Sequence, residues 1–116
     1  MRSHRLKTKL IVNALQRTCS RMNLPFYVLK KGEENAGNIF IKILITETTS
    51  KVLSQINDLN GGTRWEPIGL ENFIISNSEA DKYIEKQIHI DPDTWILEIE
   101  DKNEEFNITD PKNWPN

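Results

Sequence analysis

The residue types best suited to chemistry fall at one junction of the chain. His89, Asp91 and Asp93 are followed closely by Glu98, Glu100 and Asp101. Clustered carboxylate oxygens suit a hard cation such as Mg²⁺ or Mn²⁺, and a histidine adds a nitrogen ligand. Asp91, Asp93, Glu98 and Glu100 are therefore the candidate ligands of a small metal-dependent enzyme. Glu98 and Glu100 are two apart, so on a strand they point to the same side. A plainer reading competes: Asp91-Pro92-Asp93 is strong turn chemistry, and the two glutamates line a solvated face. The plainer reading is preferred.

Other constellations are weaker. Cys19 with His89 has the composition of a thiol nucleophile and base. Cys19, however, lies between Leu15 and Met22 on an apolar helical face, where a small buried hydrophobe is expected. Lys30-Lys31-Gly32 with Gly37 would suit an anion-binding turn, because lysines and successive backbone N–H groups attract phosphate. Glu33 and Glu34 follow at once and repel an anion, so a hairpin turn is expected. Arg64-Trp65-Glu66-Pro67, with Phe73 nearby, sets a guanidinium beside an aromatic ring. Such pairs dominate interaction hot spots, although a core tryptophan beside a salt bridge explains them equally. No set of nucleophile, base and electrophile converges, so no catalytic residue is assigned.

The unequal distribution of charge is the clearest functional signal. Residues 1–31 hold eight basic residues and no acidic one, whereas residues 32–116 hold seven basic and 17 acidic, so the two parts carry +8 and −10. Within 91–110 there are eight carboxylates against Lys102 alone. Arg5, Lys9, Arg17 and Arg21 fall on one side of a helix predicted over 5–23, opposite Ile11, Val12, Ala14, Leu15, Cys19 and Met22. Either this basic side pairs with the acidic 91–110 region, or it meets an acidic partner.

Class follows from length and composition. A chain of 116 residues with a net charge of −2 and 15 isoleucines is one folded domain, not a disordered segment. Cys19 is the single cysteine, which excludes a disulfide scaffold and fits a reducing, cytoplasmic setting. No apolar run approaches the ~20 residues of a membrane span.

The elements that must hold these residues are legible in outline. Asn23 and Pro25 stop the first helix. Phe26–Lys31 reads as a strand and 32–37 as a turn. Ile39, Ile41, Ile43 and Ile45 alternate strictly within a strand Asn38–Thr46, whose other face, with Phe40, Lys42 and Leu44, is expected to be half wet. Strands Lys51–Leu59 and Thr63–Ile68 flank the hairpin glycines of Asn60-Gly61-Gly62. Ser76-Asn77-Ser78-Glu79 matches a capping box opening a second helix, which Asp91-Pro92 ends. Trp95–Asp101 is the last strand. The expectation is an α+β domain over 1–106: an N-terminal helix, an antiparallel sheet of about four to five strands, a second helix packed on the sheet, and a final strand. Both helices are expected on one face, and 107–116, with Trp114, is expected to be a polar tail.

Several stretches resemble a family of small bacterial proteins known as domain of unknown function 1491. They are Arg5-Leu6-Lys7-Thr8, then Leu29 through Gly37, Phe40-Ile41-Lys42, Arg64-Trp65-Glu66-Pro67, and Ile90 through Asp101. The resemblance covers about 5–106 and departs in Lys30-Lys31, where paired arginines are usual. It implies the same element order and a cytoplasmic bacterial setting, with no activity attached.

The expected function is thus a binding or adaptor module that uses no cofactor and meets an acidic protein, through Arg5, Lys9, Arg17 and Arg21 and with Arg64 and Trp65 as further contacts. The alternatives are the metal-dependent enzyme above and a nucleic-acid-associated protein. Global acidity and the lack of an aromatic platform with basic neighbours count against the last.

Overall fold

A computed structural model describes residues 7–57, 62–68 and 74–106. Helix α1 (Thr8–Arg21) leads to strands β1 (Phe26–Lys30), β2 (Ile39–Leu44), β3 (Thr49–Asn57), β4 (Thr63–Pro67) and β5 (Ile75–Ser76), then to helix α2 (Asn77–Ile90) and strand β6 (Trp95–Glu100). The α+β class and the element order are as expected.

Local chemistry sets the helix ends. Asn23 adopts the left-handed conformation (φ 59°) just past α1. The Leu24 N–H then reaches the Cys19 carbonyl at 2.9 Å and the Asn23 N–H reaches Ser20 at 3.2 Å, a Schellman stop in which Asn replaces the usual Gly. At the start of α1 no side chain caps the helix. The loop carbonyls of Asn35 and Glu34 accept from the Thr8 and Lys9 N–H groups instead, at 3.2 and 2.9 Å. Helix α2 opens as its capping box predicts, with Ser76 Oγ accepting from the Glu79 N–H at 3.1 Å.

The sheet departs from expectation in its strand count and order, in its strand directions and in the part played by 32–37. It has six strands in the order β1-β6-β2-β3-β4, with β5 paired to β3 beside that path. β5 spans only Ile75 and Ser76, too short for any periodicity to announce. The sheet is mixed: β6 lies antiparallel to β1 but parallel to β2, with Ile41 opposite Leu97 and Ile43 opposite Ile99. The parallel pair exists because α2 carries the chain back across the sheet before β6, a crossover that an antiparallel hairpin does not need. In consequence 32–37 is not the turn of a β1–β2 hairpin, because β6 separates those strands.

The helices also lie on opposite faces, not on one. α1 buries Ile11, Val12, Leu15 and Cys19 against Ile39, Ile41, Ile43, Leu53, Trp65, Trp95, Leu97 and Ile99. α2 buries Ala80 and Ile84 against Val52 and Ile96 on the other side, with Phe40 and Tyr83 packed around them. The second face of β2 is therefore covered, not half wet. A strand covered on both sides reads as a near-continuous apolar run, and β6 supplies Trp95, Ile96, Leu97 and Ile99, interrupted by Glu98.

Candidate functional site

The outer side of α1 faces solvent. Leu10, Arg17 and Arg21 lie at i, i+7 and i+11 and so form one row along the helix. Leu10 is 50% exposed, and both arginines are exposed. Arg21 donates to the Thr18 hydroxyl at 3.3 Å, one turn back. Among the described residues neither Arg17 nor Arg21 makes an ion pair. Lys9, also on this side, is partly neutralised by Glu34 at 3.6 Å. Arg5 lies outside the described residues.

The acidic region does not cover this row. Asp101 is buried, and its two carboxylate oxygens accept from the Glu105 and Phe106 N–H groups at 2.8 and 3.0 Å. Glu104 pairs with Lys51 at 2.6 Å. Glu98 turns to the other face of the sheet, where it lies 3.8 Å from Lys42. Of the two arrangements open for the basic side, internal pairing with 91–106 is thus not formed among the described residues.

Lys42 is the site that sequence reasoning missed. Its side chain is 8% exposed, and its ammonium meets Asp81 of α2 at 2.7 Å and Glu98 at 3.8 Å. The register sets Lys42 directly beside Glu98, and Glu98 directly beside Tyr27. A polar row, Lys42, Glu98 and Tyr27, therefore crosses β2, β6 and β1. The Glu100 carboxylate, with Glu98 further off, holds the Tyr27 phenol above its ordinary pKa. The row clamps α2 to the sheet, since its salt bridge joins the two elements.

The 32–37 and 91–95 segments interlock structurally. A Cβ at Gly32 would lie 2.2 Å from the Asp93 carbonyl oxygen, so this approach requires glycine. The Glu33 N–H donates to that same carbonyl at 2.9 Å, and the Trp95 indole donates to the Glu33 carbonyl at 2.7 Å. The Glu33 carboxylate accepts from the Asn35 and Ala36 N–H groups, which lower its pKa. The Lys30 ammonium donates to the Pro92 and Thr94 carbonyls. These groups are engaged with the chain itself, which leaves Lys30 and the loop poorly placed for a phosphate.

The candidate metal ligands are not brought together. Asp91 Oδ1 accepts from the Asp93 N–H at 3.0 Å, the turn chemistry foreseen for this segment. Glu98 is engaged with Lys42, and Glu100 lies beside Tyr27. Among the described residues no group of three or more His, Cys, Asp and Glu is placed to hold a metal ion. Cys19 and His89 lie on helices against opposite faces of the sheet, too far to act together. Burial, then the Asp101 charge, pushes the Cys19 thiol up to about 11. Trp65 is 3% exposed and belongs to the core, while Arg64 is exposed 3.9 Å from Glu66.

An open cleft of about 450 Å³ at the end of α1 is lined by Met22, Leu24, Pro25, Glu100, Asp101 and Glu105, among others. Its apolar floor and acidic rim join segments far apart in sequence, so no local pattern signals it.

Comparison with known proteins agrees with this architecture. A crystal structure of a DUF1491 family protein from Caulobacter crescentus CB15 is 31% identical, with a TM-score of 0.71 over 84% of this chain and 89% of the other. An NMR structure of a DUF1491 family protein from the same organism is 29% identical, with a TM-score of 0.70 over 87% and 90%. The solution structure of protein Atu0922 from A. tumefaciens shares the fold at 24% identity, with a TM-score of 0.72 over 84% and 87%. None of the curated proteins matches this chain. The model of the DUF1491 family, a protein family of unknown function, matches residues 6–108, and the chain belongs to that family.

Proposed function

We propose that this chain is a binding module that recognises an acidic protein through the outer side of α1 and catalyses no reaction itself. The observation that carries this reading is the row on the outer side of α1, where exposed Leu10, Arg17 and Arg21 are aligned and neither arginine has a carboxylate partner among the described residues. An apolar contact in line with guanidinium groups suits a protein surface, since arginine contributes both charge and flat contact area. The remaining acidity of the molecule disfavours nucleic acid, which would meet repulsion outside this row.

A cytoplasmic bacterial setting belongs to the same reading. The similar solved structures come from Caulobacter crescentus and A. tumefaciens. Cys19 is kept as a buried free thiol, and no described helix is long and apolar enough to cross a membrane.

Site-specific photocrosslinking tests the surface. A benzophenone side chain at position 10 is expected to capture an acidic protein in the cells that make this chain. The same group at position 85, exposed on α2 across the sheet, is expected to capture nothing in common with it. Equal capture from both positions, or capture from neither, would remove α1 as the recognition surface.

A further inference from the structure

The solvent side of α1 carries two rows of unlike character. Lys7, Leu10, Ala14, Arg17 and Arg21 follow one another at alternating steps of three and four residues. Lys7 at the cap, Leu10, Arg17 and Arg21 are exposed, and Ala14 between them is half-buried. The neighbouring row is Lys9, Asn13, Gln16 and Ser20, with Lys9 held by Glu34. Lys7, Arg17 and Arg21 make no ion pair among the described residues, so the apolar contact and the unpaired cations of this side share one line.

Alternating steps of three and four keep that line nearly straight along the helix. It runs for about 21 Å, at 1.5 Å per residue. A line one residue wide is the seam of a helix pair, whereas a helix laid on a core needs a broader apolar face. The other side of α1 has that breadth, with Ile11, Val12, Leu15 and Cys19 spread against the sheet.

The row also selects the form of its occupant. A helix surface offers only side chains, because its backbone groups are bonded along its own axis. An extended segment laid on it would find no backbone partners, unlike one added to a sheet edge. A second helix brings its backbone already bonded. Ala14, the smallest side chain in the row, lets the two axes come close at the middle, with longer side chains interlocking on either side.

We propose that the acidic protein presents a helix that packs along this row, with apolar side chains over Leu10 and Ala14 and carboxylates beside Lys7, Arg17 and Arg21. This inference deepens the recognition reading above and rests on it. Carboxylates are favoured in the first turn of a helix, where they meet the positive end of its dipole. Arg17 and Arg21, the richer cationic end, therefore receive the start of the partner helix, which runs antiparallel to α1. Its apolar and acidic residues recur at the same steps of three and four.

A synthetic helix serves as the probe. It has about 15 residues, with leucine at the central seam positions, glutamate at the outer ones and a hydrocarbon staple on the far face. A second peptide, without the staple and with a central proline, keeps the charges and loses the helix. Fluorescence anisotropy against the full chain is expected to show the stapled helix binding at least about 10-fold tighter. Leu10→Glu, which sets a carboxylate in the seam, is expected to remove that advantage. Amide shifts of the unaltered chain give a reading independent of variants, and are expected along α1 and not on α2. Equal binding of the two peptides, both lost in Arg17→Glu with Arg21→Glu, would overturn the helical occupant and spare the recognition of an acidic protein. Binding of the stapled helix that survives this double change would overturn both. No binding of the stapled helix at millimolar concentration, or shifts centred on α2, would overturn the inference and leave the wider reading to photocrosslinking.

Discussion

Lys42 shows how one residue fixes the relation between two layers. Its ammonium is nearly sequestered, Glu98 is 18% exposed and Asp81 is 66% exposed, so the two carboxylates are not equivalent. Removing a single member of a buried charge pair strands the other, at a cost of about 3–5 kcal/mol in well-buried cases. Lys42→Met should therefore cost about 2–4 kcal/mol, because Glu98 loses its counter-charge. Asp81→Asn should cost about 1 kcal/mol or less, since that carboxylate returns to water. The double change Lys42→Met with Glu98→Gln should recover most of the loss, and urea unfolding midpoints of the variants measure this. A double variant no more stable than Lys42→Met alone would mean that the pair is not the source of the cost.

Cys19 makes the opposite point, that a reactive residue type can be inert by placement. With its thiol pushed up to about 11, the folded chain carries almost no thiolate near neutral pH. Alkylation at pH 8 should therefore proceed only as fast as the protein opens, and labelling followed by mass spectrometry checks it. The sign of the pH dependence follows. The folded state holds the thiol proton more tightly than the unfolded state, whose value is near 9.0, so this contribution is intact below about 9 and is lost as pH rises toward about 11. Cys19→Ser should remove that alkaline loss; an unchanged alkaline profile would assign it elsewhere. Cys19 was legible from the sequence because its neighbours at helical spacing are apolar. Lys42 was not, since its partners lie on other elements, Asp81 being 39 residues away.

At the scale of elements, periodicity within a strand reads reliably, and the identity of its neighbours does not. The alternation of Ile39, Ile41 and Ile43 correctly marks the side of β2 that meets α1. Nothing in those residues says that β6 lies next to β2, or that α2 covers the reverse side. Both depend on where the chain returns after α2, which is set by the whole sheet. The correction has a measurable consequence. Ile41→Ala should cost about 2–5 kcal/mol through lost burial and a residual cavity. Phe40→Ala should cost a comparable ~2–4 kcal/mol, because the ring packs edge-on against Tyr83 at 5.9 Å and lies under α2. A Phe40→Ala variant that unfolds at the wild-type denaturant midpoint would restore the half-wet reading of that face. The loop 32–37 belongs to this scale as well. Its glycines read as a hairpin turn, yet Gly32 serves close contact with Asp93, and the segment caps α1 while receiving the start of β6.

For the molecule as a whole, the segregation of charge was legible and its resolution was not. Sequence placed Lys9, Arg17 and Arg21 on one helix side, but whether they meet the acidic region depends on which face of the sheet carries α1. The described carboxylates at 98, 101 and 104 are satisfied locally, which leaves the α1 row facing solvent. A few such cations contribute little to stability, about 0–1 kcal/mol for each surface pair formed. Their effect on encounter with an acidic surface is much larger, on the order of 10–1000-fold in rate at low salt. The measurement closest to this claim is the association rate of the protein captured at position 10, followed against ionic strength for wild type and for Arg17→Glu with Arg21→Glu. The wild-type rate should fall by at least about 10-fold between ~0.05 and ~0.5 M salt, as screening shortens the reach of these charges. The double reversal should associate slowly at every salt concentration while unfolding within about 1 kcal/mol of wild type. A folded double variant that associates as fast as wild type at low salt would contradict the account.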